Sequence, residues 1–152
     1  MAKSGRAGRI ALAQVNPTVG DLAGNRAIME RALAEARQAG ADLVVFPELA
    51  LTGCPPEDLV LRRDFLAAVD EHLHALAWAS RDMTVIVGAP WEAAGGVVNG
   101  AVVLADGRVA AVAGKKALQR QSVLDEHRSF GPGSGPKTVA AGPWSVAVAV
   151  GD

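Results

Sequence analysis

The chain has 152 residues, half of them hydrophobic and a fifth charged, which suffices for one domain with a core and excludes a disordered segment. Fifteen Lys and Arg against sixteen Asp and Glu leave a net charge of −1, so no basic excess is available to neutralise phosphates and nucleic-acid binding by charge is excluded. No apolar run approaches the roughly 20 residues of a membrane-spanning helix. A single cysteine, Cys54, rules out an internal disulfide framework and a multi-thiolate zinc site, and it points to a reducing compartment. Lys3, Arg6 and Arg9 precede only a short apolar stretch broken by Gln14 and Asn16, so no secretory leader is read and the expected location is cytoplasmic.

In chain order, RIALAQV (9–15) predicts a buried strand, ended by Asn16-Pro17 and Gly20. Asn25 is the expected cap of a helix whose Ile28, Ala32, Leu33 and Ala36 recur at helical spacing, with Gly40 at its end. LVVF (43–46) predicts a second strand, stopped by Pro47. Pro55 and Pro56 suit the first turn of a helix running to about Ser80, with a break near Leu61. TVIVGA (84–89) predicts a third strand, and 97–104 with 108–112 form a hairpin about Asp106-Gly107. FGPGSGP (130–136) is a loop by composition, and WSVAVAV (144–150) a last strand. This order implies an α/β fold: a mixed sheet, parallel early and antiparallel later, with helices on one face. An apolar strand two residues from the C-terminus suggests that the domain, read as one unit over 1–152, is incomplete.

Three charged positions stand where α/β sheets place chemistry. Glu48 follows a buried strand, and from spacing alone it fits either a functional carboxylate or a solvated loop residue. Lys115 and Lys116 end a strand; a lysine there suits an oxyanion, and a pair there equally suits solvent. Glu126, in DEHR, fits a catalytic carboxylate or a surface ion-pair cluster. His72 and His74, two apart on a helix, point to different sides and make a poor metal pair; His127 reads as surface.

The run GADLVVFPELALTGCPPEDLVLRRDF resembles the glutamate segment of the nitrilase, or carbon–nitrogen hydrolase, superfamily. Its PPEDL extension is similar to the glutaminase domain of glutamine-dependent NAD⁺ synthetases. RIALAQVNPTVGDLAGN looks like that family's opening strand and loop, and Asn99 in VVNGAVVL, the hairpin ADGRV and KKALQRQSVLDEHRSFGPGSGP follow in the family's order. The resemblance implies the first part of an αββα sandwich and an amidohydrolase that releases ammonia from glutamine for amidation of nicotinic acid adenine dinucleotide. It matches Glu48 to the general base, Lys115 to the lysine that stabilises the tetrahedral intermediate, and Glu126 to the second glutamate. Lys115 fits better than Lys116 because the family lysine lies three residues before a leucine, here Leu118; the proline that usually follows is Gln119. Glu57 and Asp58 match structural parts of the PPEDL turn.

The family's cysteine nucleophile matches Gly151, with Asp152 in the acidic position after it, so the chain as written is expected to be inactive. Cys54, where relatives often carry tyrosine, matches a lining or packing position and not a nucleophile. The resemblance further implies glutamine or a related amide as substrate, no cofactor, no metal, and assembly as a homo-oligomer or with a synthetase partner; no synthetase domain is read in the chain. Two other readings stay open: an inert binding or assembly module of the same fold, and an unrelated nucleotide-binding α/β domain. The second is disfavoured because NPTVGD and PELALTG lack a phosphate-cradling glycine pattern.

Overall fold

The computed structural model describes residues 7–121 and 124–151; Lys3, Arg6 and Asp152, used in the sequence reading, lie outside them. The strands are β1 (Ile10–Leu12), β2 (Leu43–Val45), β3 (Thr84–Ala93), β4 (Gly96–Ala105), β5 (Arg108–Gly114), β6 (Arg120–Gln121), β7 (Leu124–Asp125), β8 (Lys137–Ala141) and β9 (Trp144–Val148). The helices are α1 (Leu22–Gln38) and α2 (Arg63–Ala79). Strands β1 to β5 form one sheet in sequence order, β1, β2 and β3 parallel and β3, β4 and β5 antiparallel. Strands β6 and β7 form a short ladder, and β8 pairs with β9 as a separate hairpin.

Period-two alternation sorts the sheet's apolar side chains to two faces. Val85, Val87, Val102 and Leu104 meet Met29 and Leu33 of α1 and Val69, Leu73 and Leu76 of α2. From the other face Leu43, Ile86, Ala101, Val103 and Ala113 pack against Ala141 and Val148 of the hairpin. Both helices thus lie on one face of a mixed sheet, as the sequence order implies. No helix among the described residues is long and apolar enough to cross a membrane.

Several boundaries move for local reasons. Asp21, not Asn25, caps α1: its carboxylate accepts from the Gly24 N–H at 2.9 Å, where the positive end of the helix favours an anion. Asn25 is buried inside the first turn. It accepts from the Thr18 N–H at 2.8 Å and donates to the carbonyls of Thr18 and Leu51 at 2.8 and 3.0 Å, tying the helix to two loops. Gly40, at φ +71°, ends the helix as expected. The break expected near Leu61 is present: Arg62 is extended (φ −93°, ψ 122°) and separates α2 from a preceding 3₁₀ turn at Glu57–Leu61, so only the second part of the Pro55–Ser80 segment is α-helical. The first strand is shorter than 9–15, the third runs through Pro90 to Ala93, and the last stops at Val148. Strand β8 was not anticipated, since KTVAA carries only one large apolar side chain.

Strand β1 is an edge strand, and its outward side chains are uncovered: Ile10 is 50% and Leu12 80% exposed. They line a cleft of about 380 Å³ with Val45, Ile86 and Val146, which Glu48 and Gly151 also border.

The two environments should separate in stability measurements. Leu76→Ala, at a site with no exposure, is expected to lower the unfolding free energy by about 2–5 kcal/mol. Leu12→Ala should change it by less than about 0.5 kcal/mol. Urea denaturation followed by circular dichroism measures both.

Candidate functional site

Glu48 sits on the turn after β2. Phe46 continues the strand pairing by donating to the Ile86 carbonyl at 2.9 Å, and the turn then folds back so that Leu51 donates to the Gly88 carbonyl at 3.1 Å. That fold-back requires glycine at 88: a Cβ there would lie 2.2 Å from the Pro47 carbonyl oxygen and 2.4 Å from the Leu49 nitrogen. The bare backbone of β3 thus lets the glutamate turn lie flat against the sheet.

Lys115 is the first residue after β5, and its N–H donates to the carbonyl of Asn99 in β4 at 2.8 Å, so the β4–β5 ladder sets these two residues side by side. The Lys115 carbonyl accepts from Gly133 at 2.7 Å, which pins the FGPGSGP loop behind the lysine; a Cβ on Gly133 would meet Gly114 at 2.4 Å. Glu126 opens a 3₁₀ turn, Glu126–Arg128, after the β6–β7 ladder.

These elements converge. The Lys115 ammonium donates to Glu48 Oε1 at 2.9 Å and to Glu126 Oε1 at 3.0 Å. Asn99 Nδ2 donates to the same two oxygens, at 2.6 and 3.3 Å. The Gln119 N–H donates to Glu126 Oε2 at 2.8 Å. Lys115 is buried at 5% exposure, Glu126 is mostly covered, and the Glu48 side chain, 39% exposed, faces the opening. One positive charge against two carboxylates leaves the cluster at −1.

Burial acts to pull the Lys115 ammonium down, but its bonds to Glu48 and Glu126 and their charges outweigh this, and its pKa is raised. Burial acts to push the Glu126 carboxyl up; the Gln119 N–H, Lys115 and Asn99 together hold it below the usual glutamate value. The Cys54 thiol is raised, first by burial and then by the charges of Glu48 and Glu126, against the opposing pull of Lys115. That is the wrong direction for a thiolate nucleophile.

The three residues singled out from sequence, Glu48, Lys115 and Glu126, therefore meet in one cluster. Lys116 does not join them and is exposed. Gly151 lies beside Lys115: at φ +80°, a Cβ built there would be 2.7 Å from Lys115 Cε and 3.4 Å from Nζ. Glu57 and Asp58 are exposed in the 3₁₀ turn, away from the cluster's bonds. His74 bonds within its own helix, its Nδ1 2.9 Å from the Asp70 carbonyl, while His72 is half-buried and feels Arg26 and Glu30 of α1. His127 is exposed. Among the described residues no group of three or more His, Cys, Asp or Glu side chains is placed to hold a metal ion. Two contributors were assigned no site role from the sequence, the Asn99 amide and the Gln119 N–H. The first carried a signal: an asparagine inside VVNGAVVL is a buried polar group that requires partners.

A glutamate, a lysine and a second glutamate are thus brought together at the carboxyl ends of a mixed sheet. The sequence matches the carbon-nitrogen hydrolase family over residues 9–150, and the chain belongs to that family. Within it, the chain is 40% identical over 144 residues to the glutamine-dependent NAD(+) synthetase of Thermotoga maritima, covering 93% of this chain and 25% of that protein. It is 42% identical over 143 residues to that of Rhodobacter capsulatus, covering 93% and 26%. The structure of the glutamine-dependent NAD+ synthetase from Acinetobacter baumannii, in complex with ADP, superposes with a TM-score of 0.84 at 30% identity, over 91% of this chain and 26% of that one. An amidase from Nesterenkonia sp. AN1, of the nitrilase superfamily, shares the fold with a TM-score of 0.79 at 24% identity, over 92% of this chain and 54% of that one. The chain thus spans about a quarter of the length of the curated relatives it matches.

The cluster's charges have a pH signature. Glu126, held low in the folded state, contributes stability that is present above the unfolded glutamate pKa and lost as pH falls through the lower folded value. Lys115, raised on folding, contributes stability that is present below the ordinary lysine value and lost as pH rises through its folded pKa. Below about pH 4.5 the unfolding free energy should fall more steeply in the parent than in Glu126→Gln. Urea titrations at a series of pH values measure the two slopes.

Proposed function

We propose that the chain is a glutamine-amidohydrolase module whose site accepts a primary carboxamide and that, with Gly151 at the nucleophile position, it does not hydrolyse that amide as written. The observation that carries this reading is the convergence of Lys115 and Asn99 on Glu48 and Glu126, with Gly151 directly against the lysine. Membership of the carbon-nitrogen hydrolase family supports the reaction class, and relatives named as glutamine-dependent support glutamine as the amide.

With a thiol at position 151 the residues divide the reaction among themselves. Glu48 takes the thiol proton, and the sulfur attacks the amide carbon. The carbonyl π electrons move to oxygen, where the Lys115 ammonium holds the negative charge. Glu48 returns the proton to the leaving nitrogen as the C–N bond breaks, releasing ammonia and leaving a thioester. Water, deprotonated by Glu48, then cleaves the thioester to glutamate and regenerates the thiol. Glu126 acts through Lys115 by fixing its position. Without sulfur the first bond cannot form, and loss of a hydrolase nucleophile costs on the order of 10⁶ in kcat. Cys54 does not replace it, because its thiol is pushed toward the protonated form.

A second reading, an inert binding or assembly module of the same fold, is favoured by one observation: Gly151 adopts φ +80° with the lysine stem packed against it, a backbone suited to glycine and strained for cysteine. In either reading the single cysteine fits a reducing, cytoplasmic setting; in the first, the ammonia chemistry implies a synthetase as partner.

Glutamate release from glutamine, measured on the parent, Glu48→Gln, Gly151→Cys and the Gly151→Cys/Glu48→Gln double variant, separates these readings. Release is expected only from Gly151→Cys, in which the strain at φ +80° must be borne and Lys115 Cε, 2.7 Å from the built Cβ, must shift by a few tenths of an ångström. The double variant should be slower by about 10²–10⁴. Turnover by the parent that survives Glu48→Gln would overturn the assignment. Folded but inactive Gly151→Cys protein would favour the inert module.

A further inference from the structure

Asn99 is wholly buried in β4, yet its side chain does not cap or bridge the strand; its Nδ2 donates to one oxygen of Glu48 and one of Glu126. These are the same two oxygens that accept from Lys115. Two carboxylate oxygens that share both of their donors lie close together, and one ammonium cannot neutralise both charges. Like-charged carboxylates in such proximity ordinarily resolve the conflict by taking up a proton. The second donor acts against that outcome by giving each carboxylate an N–H that favours its ionised form.

The orientation of the amide is set by the same contacts. Turned over, it would place Oδ1 against two carboxylate oxygens, so the cluster selects the orientation in which Nδ2 faces it. The cost is Oδ1, which is buried without a hydrogen-bond partner. A buried polar atom left unpaired inside an otherwise apolar strand is a sacrifice that packing alone does not explain. The backbone supports the arrangement, since the Lys115 N–H to Asn99 carbonyl bond holds the two donors in adjacent register at the end of the β4–β5 hairpin.

We propose that Asn99 is a positioning residue that keeps Glu48 and Glu126 ionised together, so that Glu48 stays available as a base beside a fully charged Lys115. The charged and titratable groups facing the pair are Lys115 from the end of β5 and Cys54 from the loop after Glu48; the Gln119 N–H adds a donor to Glu126 alone. The role concerns the ionisation of the chain as it stands, and it holds whether or not an amide is ever cleaved.

The test is a carbon-13 NMR titration of the glutamate side-chain carboxyls in the unmodified chain, with the two signals assigned through Glu48→Gln and Glu126→Gln. In Asn99→Leu at least one of the two should titrate about one to two pH units higher than in the parent. Val102→Ala, a core truncation on the same strand that does not touch the cluster, should leave both unmoved, which separates the effect from mere loosening of β4. Asn99→Ser serves if Asn99→Leu does not fold, and it should shift the same signal in the same direction. Unchanged titration of both carboxyls in a folded Asn99 variant overturns the proposal. Because the readout is ionisation, failure of the amidohydrolase reading would leave this result standing, and the reverse.

Discussion

A lysine cannot be buried unless something replaces the water it gives up, and the environment of Lys115 governs much else in this structure. Its ammonium is covered on nearly all sides and is held charged by Glu48 and Glu126. Removing either partner from such a group costs more than the pair contributes over well-packed apolar residues, so the value of the cluster lies in what it holds in place more than in stability. The three charged residues come from three separate segments: the turn after β2, 67 residues before the lysine, the end of β5, and the 3₁₀ turn beyond β7. Both glutamates must arrive within a hydrogen-bond length of the lysine, and the sheet order makes that possible.

The means of delivery is backbone close approach. Gly88 lets the Glu48 turn rest on β3, and Gly114 with Gly133 lets the FGPGSGP loop rest on the end of β5. In both places side chains are removed so that two backbones can touch, and in both the neighbour is a residue of the cluster. The two long antiparallel strands β3 and β4 form the rigid base, with nine residue pairs in register from Val85 with Leu104 to Ala93 with Gly96. Asn99 rides on that base, which is why its amide can be placed accurately.

The legible part of this protein was the part written in local periodicity. Apolar runs such as LVVF and TVIVGA, the Asp-Gly turn and the helical spacing of α2 specify their elements through nearest-neighbour chemistry, and the sheet with helices on one face follows from their order. What stayed hidden depended on contacts distant in sequence. Asn25 has the chemistry of a cap, but its partners are Thr18 and Leu51, so it sits inside the turn and Asp21 takes the end. Strand β8 exists because β9 and the sheet face are there to receive it, not because KTVAA declares itself. Glu48, Lys115 and Glu126 were each ambiguous alone, since an exposed carboxylate and a buried one read identically in sequence. A family resemblance drew them together, and the geometry then gave parts to Asn99, whose place in an apolar run signals only that it needs partners, and to the Gln119 N–H, a main-chain group that residue type does not reveal.

The β8–β9 hairpin is a ladder separate from the five-stranded sheet, and it meets that sheet mainly through Ala141 and Val148 against Leu43, Ile86 and Val103. Gly151 follows β9, so its place beside Lys115 is set by side-chain packing between two layers, whereas Glu48, Asn99 and Lys115 are set by main-chain bonds to the sheet. Packing contacts of small residues yield at lower free energy than a continuous ladder. The two sides of the site are therefore held by different kinds of contact, so a core substitution at Ala141 or Val148 acts on the placement of Gly151, whereas the Glu48 turn and Lys115 answer to the main-chain bonds of the sheet.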